Sequence, residues 1–471
     1  MRRFSGILAV WVGILGTGVL TAQGGAGDRA LRGFLAVHMP AGGDVEILDA
    51  LNADQLFVPA SVLKMMTVAA VLEHLGPEYR WRTRLQSGQR IVNGTLGGNL
   101  VIVPGGDPTW GTAVYDRGAD EPIRALVAQL AGAGLTRIRG DLVVAAGRFP
   151  GRLHPIGRSL GELPYRFGTP PAGLALDEAT MTVRVAPGRE VGQPADVRAP
   201  DGVVIINHTT TTGRTRHGRG TLDFLPVWGT QTLLLRGEYP ISEASFVVEA
   251  SDPSPDLRVA QRLREALADA GVHVDGTVRR VVSSEPAGGD LLAEFRSETL
   301  EVLLPRVLSR SHNWYADMLA LTLGLEVAGS GRFDDGVEVV SDFVSEVAAA
   351  DAPDAAVSLR DGSGLSAANL VTPATVVQVL QYILDQPWRK ILVEALARPG
   401  TGTLGAWPQL PPMAAKTGTL RHTVALAGII EPTSPAPIVF CYFVNHHPGQ
   451  VAAARREIAA AVRRWRTKTL Q

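Results

Sequence analysis

Apolar and polar positions give the chain three textures. Between Gly33 and Leu48 two apolar segments flank Pro40-Ala41-Gly42-Gly43, the pattern of a β-hairpin. It leads to Pro59-Ala60-Ser61-Val62-Leu63-Lys64, where Val62, Leu63, Met66, Val68, Ala69, Val71 and Leu72 open an apolar helical run that must stop at Leu75-Gly76-Pro77. From 84 to about 285 short strand-like runs, such as Asn99 to Val103 and Asp141 to Val144, alternate with turns such as Pro104-Gly105-Gly106-Asp107-Pro108. Two helical patterns stand out there, Pro122 to Ala131 and Leu257 to Ala270. Each is closed by glycine and followed by a short strand with a glycine inside it, as two paired halves of one inserted unit would be. Between these halves, 186 to 240 is rich in threonine, glycine and arginine and reads as a small β unit. From about 290 the helical texture returns: Leu300 to Leu308, Trp314 to Leu325, Val337 to Ala349 and Pro373 to Leu384. Strands then follow at Met413 to Thr419, Val424 to Ile430 and Ile438 to Val444, with a final helix behind them.

Composition narrows the classes. A chain of 471 residues is too long for one core, and a net charge of -1 argues against nucleic acid as a partner. Residues 1 to about 26 carry Arg2 and Arg3, an apolar stretch from Ile7 to Leu20 and small residues near Ala22 and Ala26, the pattern of a secretory signal. That stretch is short for a membrane span, which needs about 20 residues, so a cleaved signal and export to the periplasm or cell envelope are expected. The single cysteine, Cys441, has no internal disulfide partner and reads as a buried strand thiol. In the last helix Val451, Ala454, Ile458, Val462 and Trp465 recur at helical spacing, with most arginines elsewhere. Such a helix can lie on a membrane, but packing of its stripe on the adjacent sheet is the expected role.

Lysine usage points to chemistry. Only four of the 45 basic residues are lysine (Lys64, Lys390, Lys416, Lys468), and arginine cannot replace a lysine that must lose its proton. Ser61 and Lys64, three apart on a helix, meet on one face. Lys64 can be the base that activates Ser61 where burial or another cation lowers its pKa. Ser311-His312-Asn313 precedes the helix near Trp314, and Lys416-Thr417-Gly418-Thr419 lies on a predicted strand. Together these supply an acyl-transfer pocket. Ser61 attacks and Lys64 takes its proton, while Ser311 passes a proton to the departing amine and Asn313 holds the substrate amide. Lys416 and Thr417 bind a carboxylate, and Lys416 keeps Lys64 neutral by repulsion. Gly418 opens the strand edge to substrate, and the backbone N–H groups of Ser61 and Thr419 form the oxyanion hole. No His-Glu-x-x-His or comparable spacing joins His312, His422, His446 and His447, which read as surface or loop residues, so neither a metal nor a cofactor is expected.

Ser-x-x-Lys, Ser-x-Asn and Lys-Thr-Gly are the signature of penicillin-binding proteins and class A β-lactamases, although position 312 departs from the usual aspartate. From Ser61 to Ser311 the chain runs 250 residues and from Ser311 to Lys416 another 105, which a compact β-lactamase cannot accommodate. With Gly98-Asn99-Leu100, Gly105-Gly106-Asp107-Pro108-Thr109, Asp361-Gly362-Ser363-Gly364-Leu365-Ser366 and Gly402-Thr403-Leu404, the chain resembles the D-alanyl-D-alanine carboxypeptidase/endopeptidase family of the penicillin-binding protein 4 type over nearly all of its mature length.

The resemblance implies an α/β (α+β) fold, a β-lactamase/transpeptidase-like domain with an antiparallel sheet flanked by helices and interrupted by two nested domains. The expected limits are 27–84 and 286–471 for the catalytic part, 85–185 and 241–285 for the first insertion, and 186–240 for the nested β unit. Asp361 and Ser363 border the site, where a tight turn needing glycine would equally explain their neighbours Gly362 and Gly364. Glu162-Leu163-Pro164-Tyr165 is the nearest match to the family's substrate-facing acidic and aromatic residues, with Glu162 read as a surface residue. The implied partners are peptidoglycan stem peptides ending in D-Ala-D-Ala and β-lactams as covalent inhibitors. Two alternatives remain at this stage: a non-catalytic peptidoglycan-binding scaffold of the same fold, and a serine β-lactamase, for which no deacylating glutamate can be identified although Glu298 and Glu301 precede Ser311.

Overall fold

The computed structural model describes residues 29–112, 114, 118–152, 154–213, 221–282, 289–349 and 357–469; the expected signal at 1–26 lies outside them. The last three strands, Met413–Leu420, Thr423–Ile430 and Ile438–Asn445, continue through Leu31–His38 to Glu46–Leu51 as one five-stranded antiparallel sheet in that order. Every residue of Thr423–Ile430 and Ile438–Asn445 is buried, which explains their unbroken apolar runs. Cys441 lies there, as a buried free thiol.

One face of the sheet is covered by the final helix, Val451–Lys468, through Ala454, Ile458, Val462 and Trp465. Burying a side chain such as Ile458 contributes about 1.5–3 kcal/mol, against ~0–1 kcal/mol for a surface ion pair, so the apolar stripe decides where this basic helix goes. Among the described residues no helix is long and apolar enough to cross a membrane.

The other face carries the helices. Leu63–Leu75 buries ten consecutive residues, Leu63 to Leu72, because it is apolar on all sides and is enclosed by Leu300–Leu308, Asn313–Glu326, Phe333–Ala349 and Pro373–Asp385. Thr372 caps the last of these by accepting from Thr375 N at 3.0 Å, with Pro373 in the first turn. Arg389–Ala395, a seven-residue helix, is too short to show a clear period in the sequence.

The chain leaves this body along Arg82–Ser87 and returns along Asp290–Arg296, antiparallel neighbours in a second five-stranded sheet. Helices Glu121–Gly132 and Pro255–Asp269 share its core through Leu126, Leu130, Leu263 and Leu267. The strand after each helix pairs with its counterpart, Arg137–Ile138 with His273–Val274 and Leu142–Ala145 with Val278–Val281, both in parallel. Strand pairing thus draws the insertion wider than 85–285. It also gives the small β unit one more strand at each end than 186–240, because Thr180–Ala186 and Phe246–Ser251 pair with each other and supply Met181, Val183, Val185 and Ala250 to its core. The expected limits followed a change in composition, whereas the apolar strands outside that change belong to the same core.

Candidate active site

Ser61, the candidate nucleophile, follows a strained turn residue. Ala60 has φ 48° and begins a short 3-10 turn, Ala60–Val62, that runs into the helix at Leu63. A non-glycine residue held in this region costs about 1–3 kcal/mol and persists only where its surroundings impose it. Gly364 packs directly against this turn. Its φ is 76°, and a Cβ there would stand 1.9 Å from the Ala60 carbonyl oxygen. Ser311 is also left-handed, with φ 60°, so both motif serines follow or occupy strained backbone.

Lys64 is fully buried and spends three N–H donors on Ser61 Oγ at 2.9 Å, Asn313 Oδ1 at 2.8 Å and the Ser363 carbonyl at 2.6 Å. Burial lowers its pKa to about 7; the Asp317 and Asp361 charges oppose that fall and the Arg158 charge assists it. Above pH 7 the neutral amine, with a lone pair available to the Ser61 proton, therefore predominates. Lys416, equally buried, donates to Ser311 Oγ at 2.8 Å and to the Thr417 carbonyl at 2.9 Å. Burial first and the Lys64 charge second hold it well below its ordinary value. Repulsion between the two lysines acts on both, and Arg158 is a further cation beside Lys64 that the sequence did not suggest.

Arg158 carried no signal in a chain so rich in arginine. It comes from the inserted part, with its side chain 1% exposed, and binds Asp361 Oδ2 through Nε at 3.2 Å and Nη2 at 3.0 Å, Ser363 Oγ at 2.9 Å, and Asp317. Asp361 also accepts from Gly364 N at 2.8 Å, Ser366 N at 2.7 Å and Asn369 Nδ2 at 2.8 Å, which staples the glycine turn. Burial alone would raise Asp361, but Arg158 and these donors outweigh it and the carboxyl lies below its usual range. Asp361 therefore reaches Lys64 through the turn it holds, while Ser363 touches Lys64 directly.

The insertion supplies two further contacts. Phe167 O accepts from Asn313 Nδ2 at 2.8 Å, and Phe167 stacks on Tyr165, while Glu162 is half-buried. Glu178 lies in a turn whose three residues, Asp177, Glu178 and Ala179, have φ of 52°, 60° and 55°. Its carboxylate lies 2.8 Å from His312 Nε2, and it accepts from Tyr315 OH at 3.1 Å and Arg166 Nε at 2.6 Å. Burial opposes its ionisation, yet the His312 hydrogen bond and the Arg166 charge bring it down to about 2. His312 is thus a tether to the insertion rather than a loose loop residue, and His447, expected near the surface, is buried.

Ser61, Ser311, Thr417 and Thr419 line one cleft of about 340 Å³ with Gly402, Thr403, Ala406 and Arg455. Met413–Leu420 is the edge strand on this side, so the Thr417 to Thr419 backbone has a partner strand on one side only. Gly418 has a reason other than the expected one: a Cβ there would come within 2.8 Å of the Pro59 carbonyl oxygen, so the glycine lets the turn that carries Ser61 close on the strand.

An antiparallel sheet under an apolar helical layer, with a serine and buried lysine on the first helix and a second serine–lysine pair at the sheet edge, defines a serine acyl-transfer enzyme of the penicillin-recognising kind. The model of the D-Ala-D-Ala carboxypeptidase 3 (S13) family matches residues 26–469, and the chain belongs to that family, whose members are serine-type D-alanyl-D-alanine carboxypeptidases. It is 28% identical over 455 residues to the D-alanyl-D-alanine carboxypeptidase of Actinomadura sp. (strain R39), spanning 93% of this chain and 81% of that one. The D-alanyl-D-alanine carboxypeptidase DacB of Haemophilus influenzae is 26% identical over 427 residues, 88% of this chain and 85% of its own. The crystal structure of penicillin binding protein 4 (dacB) from Haemophilus influenzae superposes with a TM-score of 0.77 at 25% identity, covering 89% of this chain and 91% of that one.

Proposed function

We propose that the chain removes the terminal D-alanine from peptidoglycan stem peptides through an acyl-enzyme on Ser61. The observation that carries this is the 2.9 Å contact between Ser61 Oγ and a buried lysine whose pKa is near 7. As Ser61 Oγ bonds to the carbonyl carbon of the penultimate D-alanine, its proton passes to Lys64 Nζ. The backbone N–H groups of Ser61 and Thr419 receive the developing oxyanion, a single such donor being worth about 3 kcal/mol. Ser311 Oγ, oriented by Lys416, gives its proton to the departing amine as the C–N bond breaks, and Asn313, held by Lys64 and Phe167, orients the peptide. The proton held by Lys64 is passed on to Ser311 Oγ, which restores both groups; water then attacks the ester, and Lys64 accepts a proton from that water and returns it to Ser61 Oγ as the ester C–O bond breaks.

A cross-linked stem peptide offers the same acyl group with a different departing amine, so D,D-endopeptidase activity belongs to the same proposal. β-Lactams, which present a strained amide to the same serine, are the expected covalent inhibitors. Such substrates place the enzyme in the bacterial cell envelope, in keeping with the signal-like residues 1–26. With a synthetic stem pentapeptide ending in D-Ala-D-Ala, the purified protein is expected to release D-alanine, and Ser61→Ala to release none above background. Equal release by both would locate the activity elsewhere.

A further inference from the structure

Lys416, the cation that the sequence offers for a substrate carboxylate, is poorly suited to that task. Its ammonium is fully buried, two of its three donors are committed to Ser311 and Thr417, and its charge is suppressed. The cleft nevertheless has another cation. Among the described residues that line it, Arg455 is the one charged side chain.

Arg455 stands on the final helix, and its surroundings differ from those of two arginines near the helix end. Arg464 pairs with Asp49 at 2.8 Å and Arg466 with Glu431 at 2.8 Å. Arg455 has no carboxylate partner among the described residues; its Nε is shut from solvent without a hydrogen bond, and its guanidinium lies 5.5 Å from the centroid of the Trp407 ring. The indole holds the planar group at the cleft wall while leaving its in-plane donors unspent. Thr403 Oγ1, in the same wall, is likewise buried without a partner. A desolvated, unpaired donor is costly, and two that share one cleft wall call for an acceptor from outside the chain. A guanidinium matches a carboxylate with two parallel hydrogen bonds and keeps its charge at any working pH.

We propose that Arg455, with Thr403, binds the free carboxylate of the departing residue and so makes the enzyme select peptides that end in a free C-terminus. This rests on the peptidase reading above, and it makes Arg455 a specificity-determining residue for that reaction. The final helix, which the sequence marked only as a basic amphipathic element packed on the sheet, thereby becomes part of the substrate site.

The test compares two peptides, one ending in D-Ala-D-Ala with a free carboxylate and the other identical but amidated at its C-terminus. Wild type is expected to favour the free acid in kcat/KM by about 10- to 100-fold, the scale of a charge-assisted pair. In Arg455→Gln that preference collapses towards one, chiefly through KM for the acid. Arg455→Lys, which keeps the charge without the fork, retains part of it, and Thr403→Val loses a smaller part. Thermal unfolding of each variant separates loss of fold from loss of selection. An unchanged preference in folded Arg455→Gln, or equal losses on both peptides, would overturn the assignment while leaving the peptidase reading intact. Cleavage of neither peptide by wild type, with no release of D-alanine from the acid or of D-alaninamide from the amide, would overturn both.

Discussion

Lys64→Met is expected to slow acylation of Ser61 by about 10²- to 10⁴-fold, the usual worth of a general base, with little change in the fold. The geometry makes this the most damaging change short of removing Ser61, because Lys64 Nζ touches Ser61 Oγ, Asn313 Oδ1 and the Ser363 carbonyl together. Lys64→Arg is expected to be no better, since a guanidinium does not give up its proton to become a base. In wild type the acylation rate should climb with pH through about 7 and level off above it, as the amine loses its proton. Stopped-flow capture of a fluorescent penicillin across that range measures both effects. A Lys64→Met rate within a few-fold of wild type would assign the base to another group.

Arg158→Met should act on the same profile from further away. It removes the guanidinium between two fully buried carboxylates, Asp317 and Asp361, and breaking a buried pair in this way costs about 3–5 kcal/mol of stability. Folded enzyme that remains should show a second effect. The Arg158 charge lowers the Lys64 pKa and the two carboxylates raise it, so removal of the cation leaves the raising charges unopposed. Lys64 then stays protonated to higher pH, the rising limb of the acylation profile moves in the alkaline direction, and activity at pH 7 falls but recovers as pH increases. Urea unfolding reports the first effect and the pH–rate profile the second. A stability loss with the limb unmoved would make Arg158 a structural brace alone.

These two residues also show what the sequence disclosed and what it withheld. Ser61 and Lys64 were legible because a helix brings residues three apart together, and Lys64 stood out because lysine is scarce in this chain. Ser311, Asn313 and Lys416 were legible because an acyl-transfer pocket needs those residue types and each stands in a short motif. The apolar runs from Leu63 to Leu72 and over Thr423–Ile430 and Ile438–Asn445 marked the main body because they are buried on all sides. Arg158 reaches Asp361 across 203 positions, and Glu178 reaches His312 across 134. No local spacing encodes such contacts, and arginine is too common here for any one to be conspicuous. Glu178 had a further disguise, a left-handed turn built without glycine, whose energy is offset by partners from other elements. Arg455 was visible only as one charge on an amphipathic helix; its function depends on where Trp407 and the sheet edge place it.

The central claim, that Ser61 is the nucleophile of a D,D-peptidase, is tested most directly by intact mass of the purified protein after incubation with a penicillin, beside Ser61→Ala. Wild type is expected to gain one drug mass that persists on the scale of the assay, and Ser61→Ala to gain none. Rapid loss of the adduct with turnover of the drug would instead define a β-lactamase. An unlabelled wild type, or a label that survives Ser61→Ala, would contradict the catalytic assignment itself.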